Sequence, residues 1–318
     1  MKILMFGRGA IATVHGWALE RAGHDVECYV RPGRASAYGE AVELDLLDAR
    51  RRVWGQRVVQ AWPVRYREQL PPDHDFDLIV LSVPHHRLPE AAAFLAPRVG
   101  NATVLVFGNI WAEPLTAIGA LPVDQVAWGF PLAGGGFGED GVLRGTLLPA
   151  VVFGTVDRPP TARERATRRV FREAGFRLRE KRDFRTWLWL HFAMNAGLHA
   201  QGLRRGTLSE LVGATADLSE ALLTARELLP VLRARGADLR RRDTLGYRAP
   251  TWLTAPAFAW LTAHVPLVRR SFEGHADPAA EEPREVCRDT LAEARRLGIA
   301  VPRLEAAESS FAGSPPVV

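Results

Sequence analysis

Residues 2–12 read KILMFGRGAIA, a short apolar run that ends in two glycines and continues into a helix-like pattern. The run predicts a β-strand over residues 2–6, and the apolar positions that follow the glycines recur at helical spacing. The stretch HDVECYVR at residues 24–31 alternates enough to predict a second strand. Strand, glycine turn, helix and strand together form a βαβ unit, which indicates a parallel α/β domain.

The turn after the first strand has the spacing G-x-G-x-x-A. Gly7 permits a tight turn, Gly9 lets a pyrophosphate approach the backbone, and the small Ala12 keeps helix and strand close. Ala10 and Ile11 open the helix, whose N-terminus attracts anions. In this context the motif predicts a dinucleotide-binding site. The alternative is a glycine turn that binds no ligand.

The end of the second strand predicts which cofactor is bound. A carboxylate at this place binds a ribose 2′-hydroxyl, whereas an arginine accommodates a 2′-phosphate. Here the strand ends in Tyr29-Val30-Arg31, with Arg34 close behind and no carboxylate. We therefore expect NADP(H) at Arg31, the alternative being that Arg31 is one more surface arginine in an arginine-rich chain.

Strands and helices alternate as far as residue 181. Buried parallel strands are predicted at residues 77–83 and 102–107, helices at 89–96 and 161–174, and antiparallel hairpins within 125–156. The sequence after residue 183 predicts helices only, at residues 187–203, 219–235 and 283–297, with a proline-broken helical hairpin at 247–268. The predicted fold class is therefore α/β, with a Rossmann-type dinucleotide-binding domain over residues 1–181 and an all-α substrate domain over 182–318.

Composition excludes several classes of protein. The 318 residues are 47% hydrophobic and 24% charged, which excludes disordered and fibrous chains. The only cysteines, Cys28 and Cys287, are too few for a disulfide framework, so a reducing cytoplasm is expected. Three prolines and His264 interrupt the longest apolar region, which argues against a membrane span. The net charge of +5 comes from dispersed arginines, which argues against a nucleic-acid partner.

No metal site is expected. His85 and His86 are adjacent and would point apart, and the sequence Asp73-His74-Asp75 lies in a proline-rich loop. We assign all of these residues to solvent-facing structure.

The helix predicted at residues 187–203, WLWLHFAMNAGLHAQGL, is apolar on nearly every side and yet carries polar side chains. His191 and Asn195 are four residues apart and project from one face, whereas His199 is rotated from His191 by roughly 80°. A histidine in such a helix is usually a hydrogen-bonded core residue. An amide on the same face, just after a domain boundary where clefts form, favours a site.

The chain resembles the ketopantoate reductase family, whose members reduce a 2-oxo acid with NADPH. The resemblance rests on GRGAIA at residues 7–12, Arg31, Asn109 within VLVFGNIW, the WLWLHFAMN helix, and GIAVP at residues 298–302. It implies that Asn109 positions nicotinamide and substrate and that Asn195 is the family's helix asparagine. It further implies that Glu282, or its neighbour Glu281, binds the substrate.

Two family lysines are replaced in this chain. The catalytic lysine four residues before the helix asparagine is His191, and the lysine after the strand at residues 77–83 is Pro84. Lys2 and Lys181 are the only lysines, so a simple compositional replacement would have given arginine. A histidine with an ordinary pKa near 6.5 can donate a proton near neutral pH, which arginine cannot. We therefore expect that acid catalysis is retained. Because two cationic contacts of the family are changed, we expect a substrate other than ketopantoate.

The resulting hypothesis is an NADPH-dependent reductase of a 2-oxo acid or related carbonyl compound. An imine or opine-type reductase and a non-enzymatic NADP-binding regulator are the alternatives. Arg269 or Arg270 would bind a substrate carboxylate, unless they are surface residues. The expected partner is a small-molecule substrate, and a homodimer would use the hairpin that carries Trp252 and Trp260.

Overall fold

A computed structural model describes residues 1–156, 158–240, 243–277 and 279–313. The chain divides into two compact units, Met1–Phe184 and Arg185–Val318. The sequence placed its boundary after residue 181. In the described part of the chain, no helix is long and apolar enough to cross a membrane.

The first unit is built on one ten-stranded sheet. Its strands are β1 (Lys2–Phe6), β2 (Asp25–Tyr29), β3 (Ala41–Asp48), β4 (Gln56–Pro63), β5 (Tyr66–Arg67), β6 (Leu78–Leu81), β7 (Thr103–Phe107), β8 (Val126–Phe137), β9 (Leu143–Gly154) and β10 (Arg177–Lys181). The spatial order is β4-β3-β9-β8-β7-β6-β1-β2-β5, with β10 beside β9. The strands β2, β1, β6, β7 and β8 pair in parallel, which confirms the predicted α/β class.

Five helices belong to this unit or lie on its loops. They are α1 (Ala10–Glu20), α2 (Ala35–Tyr38), α3 (Leu88–Leu95), α4 (Pro114–Ala117) and α5 (Ala162–Glu173). The predicted start of α5 is confirmed in detail, because the Thr161 hydroxyl accepts from the Glu164 N–H and the Glu164 carboxylate accepts from the Thr161 N–H. This capping box provides acceptors for two backbone N–H groups that have no carbonyl partner within the helix.

The glycine-broken stretch after residue 125 forms one long antiparallel hairpin. β8 and β9 pair over most of their length, with an irregularity between Pro131 and Ala133. The first half of β9 also pairs with β3 and the second half with β10. The hairpin therefore carries the sheet past the parallel strands, as its alternating sequence predicted.

β3 and β4 form an antiparallel ribbon that the sequence analysis did not assign. Trp62 of β4 packs against α1, where a Cβ on Gly16 would lie 3.1 Å from the Trp62 ring. The Trp62 indole N–H donates to the Glu20 carboxylate at 2.5 Å. The ribbon thus covers α1 and shares its apolar core.

Every assigned element of the second unit is helical. The helices are α6 (Phe184–Arg205), which begins at the boundary, α7 (Thr215–Glu227), α8 (Leu229–Ala234), α9 (Leu245–Arg248), α10 (Thr251–His264), α11 (Pro266–Glu273), α12 (Glu281–Arg296) and α13 (Pro302–Ala306). The single helix predicted at 219–235 is wrong at one point, since the chain divides into α7 and α8 at Leu228, two residues before Pro230. Proline cannot donate to the preceding turn, and this breaks the helix.

Proline acts differently in the predicted hairpin. Pro250 and Pro266 stand at the starts of α10 and α11, where no N–H is required, whereas Pro256 lies inside α10. α6, α7, α10 and α11 share an apolar cluster that includes Leu198, Leu218 and Phe272. This cluster holds the long helix α6, which carries the polar residues singled out from the sequence.

Candidate active site

The glycine-rich turn has the backbone shape that an anion site requires. Gly7 adopts a φ of +106°, a conformation that favours glycine, and its N–H donates to the Tyr29 carbonyl at 3.0 Å. Gly9 caps α1 without a side-chain hydrogen bond. A Cβ at Gly7 or Gly9 would meet no atom within 4 Å, so the start of α1 opens onto free space. These residues fit a pyrophosphate held by helix N–H groups.

The remaining residues of the motif have different surroundings. Ala12 is completely buried in the core of the unit, in keeping with its predicted role in close packing. Arg31 and Arg34 are exposed, and neither forms an ion pair among the described residues. The Glu68 carboxylate accepts from the Ala35 N–H at 2.8 Å, and hydrogen bonds from the backbone of this loop hold the Glu68 pKa below its usual value. Glu68 thus fixes the loop that carries the two arginines.

Arg8 is a residue of the turn that the sequence analysis passed over. Its Nε donates to the Tyr66 hydroxyl at 2.9 Å. Its guanidinium carbon lies 4.7 Å from the ring centre of Tyr38 and 4.5 Å from that of Phe137. The signal in the sequence was an arginine between the two glycines, but its aromatic partners are far away along the chain.

Asn109 lies just beyond the end of β7, two strands from β1 in the sheet. Its Oδ1 is buried and accepts no hydrogen bond from the described residues. Unsatisfied buried acceptors are costly, and in a site they indicate a missing donor. A primary amide of a ligand would supply that donor, so Asn109 fits the carboxamide group of a nicotinamide.

The expectation that His85 faces solvent is wrong. A 3₁₀ turn follows β6 at His85–Arg87, and His85 is only 8% exposed while His86 is partly exposed. The two rings do not point apart either, because they contact edge to face, with their centres 5.4 Å apart and their planes inclined by 86°. His74 has a structural role, since its ring nitrogens bond the Arg98 carbonyl and the Phe76 N–H. Among the described residues, no group of three or more His, Cys, Asp or Glu could hold a metal.

In the second unit, His191 and Asn195 lie one turn apart on the continuous helix α6, and both are partly buried. The Trp187 ring stacks on the His191 ring, with the centres 5.5 Å apart and the planes inclined by 16°. The Tyr247 hydroxyl of α9 donates to the Leu190 carbonyl at 2.5 Å, which anchors this turn of the helix. His199 is 9% exposed and belongs to the buried side.

Burial lowers the pKa of His191 to about 4. The ordinary pKa near 6.5 that the residue type predicts is therefore wrong for His191. An imidazole with this pKa is almost entirely neutral at pH 7. A negative charge brought close by a ligand would raise the pKa again.

The other polar candidates lie on α11 and α12. α12 contacts α6, since the Cys287 thiol lies 3.6 Å from the Ala196 carbonyl. Glu281 and Glu282 both stand in the first turn of α12, where Glu281 is exposed and Glu282 partly buried. Arg269 is paired with Glu273 at 2.7 Å on the surface of α11, which favours a structural role. Arg270 is partly buried.

Residues 3–158 match the sequence model of the family described as ketopantoate reductase PanE/ApbA. These residues therefore belong to the ketopantoate reductase family. The resemblance stated from the sequence is thereby confirmed. Among proteins with curated functions, none matches this chain significantly.

Solved structures of ketopantoate reductases are similar over nearly the whole chain. The 2-dehydropantoate 2-reductase of Geobacter metallireducens GS-15 has 16% identity and a TM-score of 0.69, and the alignment covers 98% of this chain and 99% of that one. The corresponding values for a probable 2-dehydropantoate 2-reductase of Bacillus subtilis are 18%, 0.67, 98% and 99%. At sequence identities this low, the structural similarity shows that the fold is shared and nothing about the substrate.

A third similar structure is D-mandelate dehydrogenase in complex with NADH. It has 13% identity and a TM-score of 0.70, and the alignment covers 98% of both chains. A ternary structure of D-mandelate dehydrogenase contains NADH and anilino(oxo)acetate. The fold of the ketopantoate reductase family is therefore shared by proteins described with different substrates.

Proposed function

We propose that the protein is an NADPH-dependent reductase of a 2-oxo acid or a closely related carbonyl compound. The observation that carries the proposal is the open glycine-rich turn at the start of α1, within a domain of the ketopantoate reductase family. Both ketopantoate and anilino(oxo)acetate place an oxo group beside a carboxyl-derived carbon. The name of one similar structure and the ligand bound in another therefore support a 2-oxo acid as the substrate.

The dinucleotide would be held by Gly7, Gly9, Ala10, Ile11 and Ala12 at the start of α1, and by Arg31 at the ribose. When bound, it supplies the hydride for reduction of the carbonyl carbon. Asn109 would hold the nicotinamide carboxamide, for which its unsatisfied Oδ1 is suited. This assignment places the nicotinamide at the carboxyl edge of the parallel strands, where such folds bind their ligands.

His191 would donate the proton that the carbonyl oxygen takes up. Asn195, on the same face of α6, would orient the substrate, and Glu282 would accept a hydrogen bond from a substrate hydroxyl. Glu282 is the better choice than Glu281 because it is partly buried. The substrate carboxylate would raise the pKa of His191 through its negative charge, so binding would prepare the acid for its step.

A titration with NADPH followed by a substrate panel tests the proposal. We expect NADPH to raise the melting temperature and to be oxidised with a 2-oxo acid in the panel. Imines in the same panel test an imine or opine-type reductase. Binding of NADPH without its oxidation by any carbonyl or imine would instead support a regulator, and absence of any binding would end the proposal.

We also propose that the protein forms a homodimer through α10. Trp252 and Trp260 are 77% and 58% exposed. α10 contains no Asp, Glu, Lys or Arg, and its one titratable residue is His264 at its C-terminal end. A chain with a net charge of +5 repels its own copy, and least so across an uncharged face. Large exposed apolar patches of this kind mark association surfaces.

A cytoplasmic location stays a prediction from cysteine usage. Cys28 and Cys287 are both buried free thiols.

A further inference from the structure

Arg8 stands between the two glycines of the dinucleotide-binding turn. We propose that Arg8 selects NADPH over NADH by binding the 2′-phosphate of the adenosine ribose. The inference rests on the proposed function, since it concerns the cofactor of that same site. Arg31 then has a supporting role at the surface.

The guanidinium of Arg8 is immobilised from three sides. Its central carbon lies over the ring of Tyr38 in α2 and over that of Phe137 at the end of β8, at 4.7 and 4.5 Å from the ring centres. Tyr66 of β5 accepts its Nε–H at 2.9 Å. A side chain already held in one geometry loses little rotational freedom when it binds a ligand, and this increases affinity. Arg31, by contrast, is exposed.

The contacts of Arg8 leave its two terminal nitrogens for a ligand. Within the described residues, the guanidinium donates one hydrogen bond, from Nε to Tyr66, so the N–H groups of Nη1 and Nη2 are left for a ligand. These N–H groups match two phosphate oxygens in a bidentate arrangement. The observed contacts therefore position the group rather than saturate it.

No carboxylate neutralises Arg8 within the described part of the chain. Arg67, which follows Tyr66 in β5, is by contrast paired with Glu27 at 2.7 Å. Arg8 is partly buried and is surrounded by aromatic rings instead. A partly desolvated cation of this kind is best satisfied by an anion supplied by a ligand.

The position of Arg8 suits a ribose phosphate. β1 and β2 are adjacent, with Phe6 opposite Tyr29, so the turn after β1 and Arg31 after β2 lie at the same edge. In this fold the adenosine ribose binds at that edge, between the turn and the end of the second strand. Arg8 and Arg31 would therefore approach the ribose from the two neighbouring strands.

Binding of cofactor fragments to the full-length protein tests the inference. Dissociation constants are measured by calorimetry for NADPH, NADH, 2′,5′-ADP and 5′-AMP, with the wild type and with Arg8→Gln. We expect the substitution to weaken NADPH and 2′,5′-ADP by about 10- to 100-fold, the range for a lost charge-assisted contact. NADH and 5′-AMP, which lack the phosphate, should change by less than about twofold.

Two further variants keep the test decisive. Tyr66→Phe removes only the hydroxyl that holds Arg8, so we expect a smaller loss that is again confined to NADPH and 2′,5′-ADP. Arg21→Gln is the matched control, because Arg21 also lies over an aromatic ring, Trp17 at 5.4 Å, at the far end of α1. It should leave all four constants unchanged.

The outcomes separate this inference from the proposed function. Equal losses for NADPH and NADH in Arg8→Gln would show that Arg8 binds the pyrophosphate, and would overturn the inference alone. A wild type that prefers NADH would overturn it as well. A wild type that binds neither dinucleotide would overturn the proposed function itself.

Discussion

At the scale of the residue, His191 shows how much an environment changes a side chain. The residue type alone indicates a proton donor near neutral pH, whereas burial lowers its pKa to about 4. The stacked Trp187 ring and the anchored turn of α6 hold the imidazole in place. Its chemical role therefore depends on what binds beside it.

Replacing His191 with alanine tests its role as the acid. We expect turnover to fall by about 10²- to 10⁴-fold, the usual contribution of a positioned proton donor, with NADPH affinity unchanged. Steady-state kinetics and a NADPH titration give the two values. His264→Ala is the matched control, because His264 also stacks on a tryptophan four residues earlier in its helix. The ring centres of Trp260 and His264 are 5.2 Å apart and the ring planes are inclined by 15°. Unchanged turnover in His191→Ala would remove His191 from the mechanism.

The pH dependence of reduction follows from the lowered pKa. The protonated fraction of His191 falls about tenfold for each pH unit above a pKa of about 4. We therefore expect kcat/KM for reduction to rise as the pH is lowered from neutral towards 4. The apparent pKa in kcat should be higher than in kcat/KM, because the bound substrate carboxylate favours the imidazolium. A flat profile over this range would contradict the assignment.

At the scale of the element, α6 and α7 approach closely at a glycine. A Cβ on Gly197 would collide with the carbonyl oxygen of Ala221 in α7. Backbone atoms cannot move aside as a side-chain end can, so the two helices would have to separate. Gly197 therefore sets the distance between the helix that carries His191 and its neighbour.

Gly197→Ala should destabilise the protein by about 1–3 kcal/mol in spite of the better helix propensity of alanine. Urea unfolding measures the change. Gly246→Ala is the matched control, because Gly246 also lies in a helix and its added Cβ would meet no atom within 4 Å. That variant should be neutral or stabilised by up to about 1 kcal/mol. Equal stability of the two variants would refute the close approach.

At the scale of the whole molecule, the proposed dimer makes a prediction that needs no knowledge of the substrate. Replacing both Trp252 and Trp260 with serine should convert a dimer into a monomer, because it removes the largest apolar groups of α10. Sedimentation at several concentrations measures the state. Trp54→Ser is the control, since Trp54 is 69% exposed in the first unit. A wild type that stays monomeric would refute the dimer.

Much of the architecture was predictable because it depends on sequence patterns within single helices, strands and turns. The strands around the glycine-rich turn, the Thr161 cap and the long helix α6 follow from periodicity and capping chemistry. β3 and β4 carry the sequences AVELDLLD and QRVVQAWP, whose alternation of apolar and polar residues is typical of strands. Their position over α1 depends on Trp62 meeting Gly16, which no local pattern reveals.

By itself the sequence determined most of the parallel strands and long helices, the family, the backbone shape of the phosphate-binding turn, and the common face of His191 and Asn195. These depend on steric limits and spacings within a few residues. Only the tertiary structure decided the inward turn of His85, the low pKa of His191 and the aromatic clamp on Arg8. Each of these depends on desolvation or contact by groups distant in the chain, and such groups become neighbours only after folding.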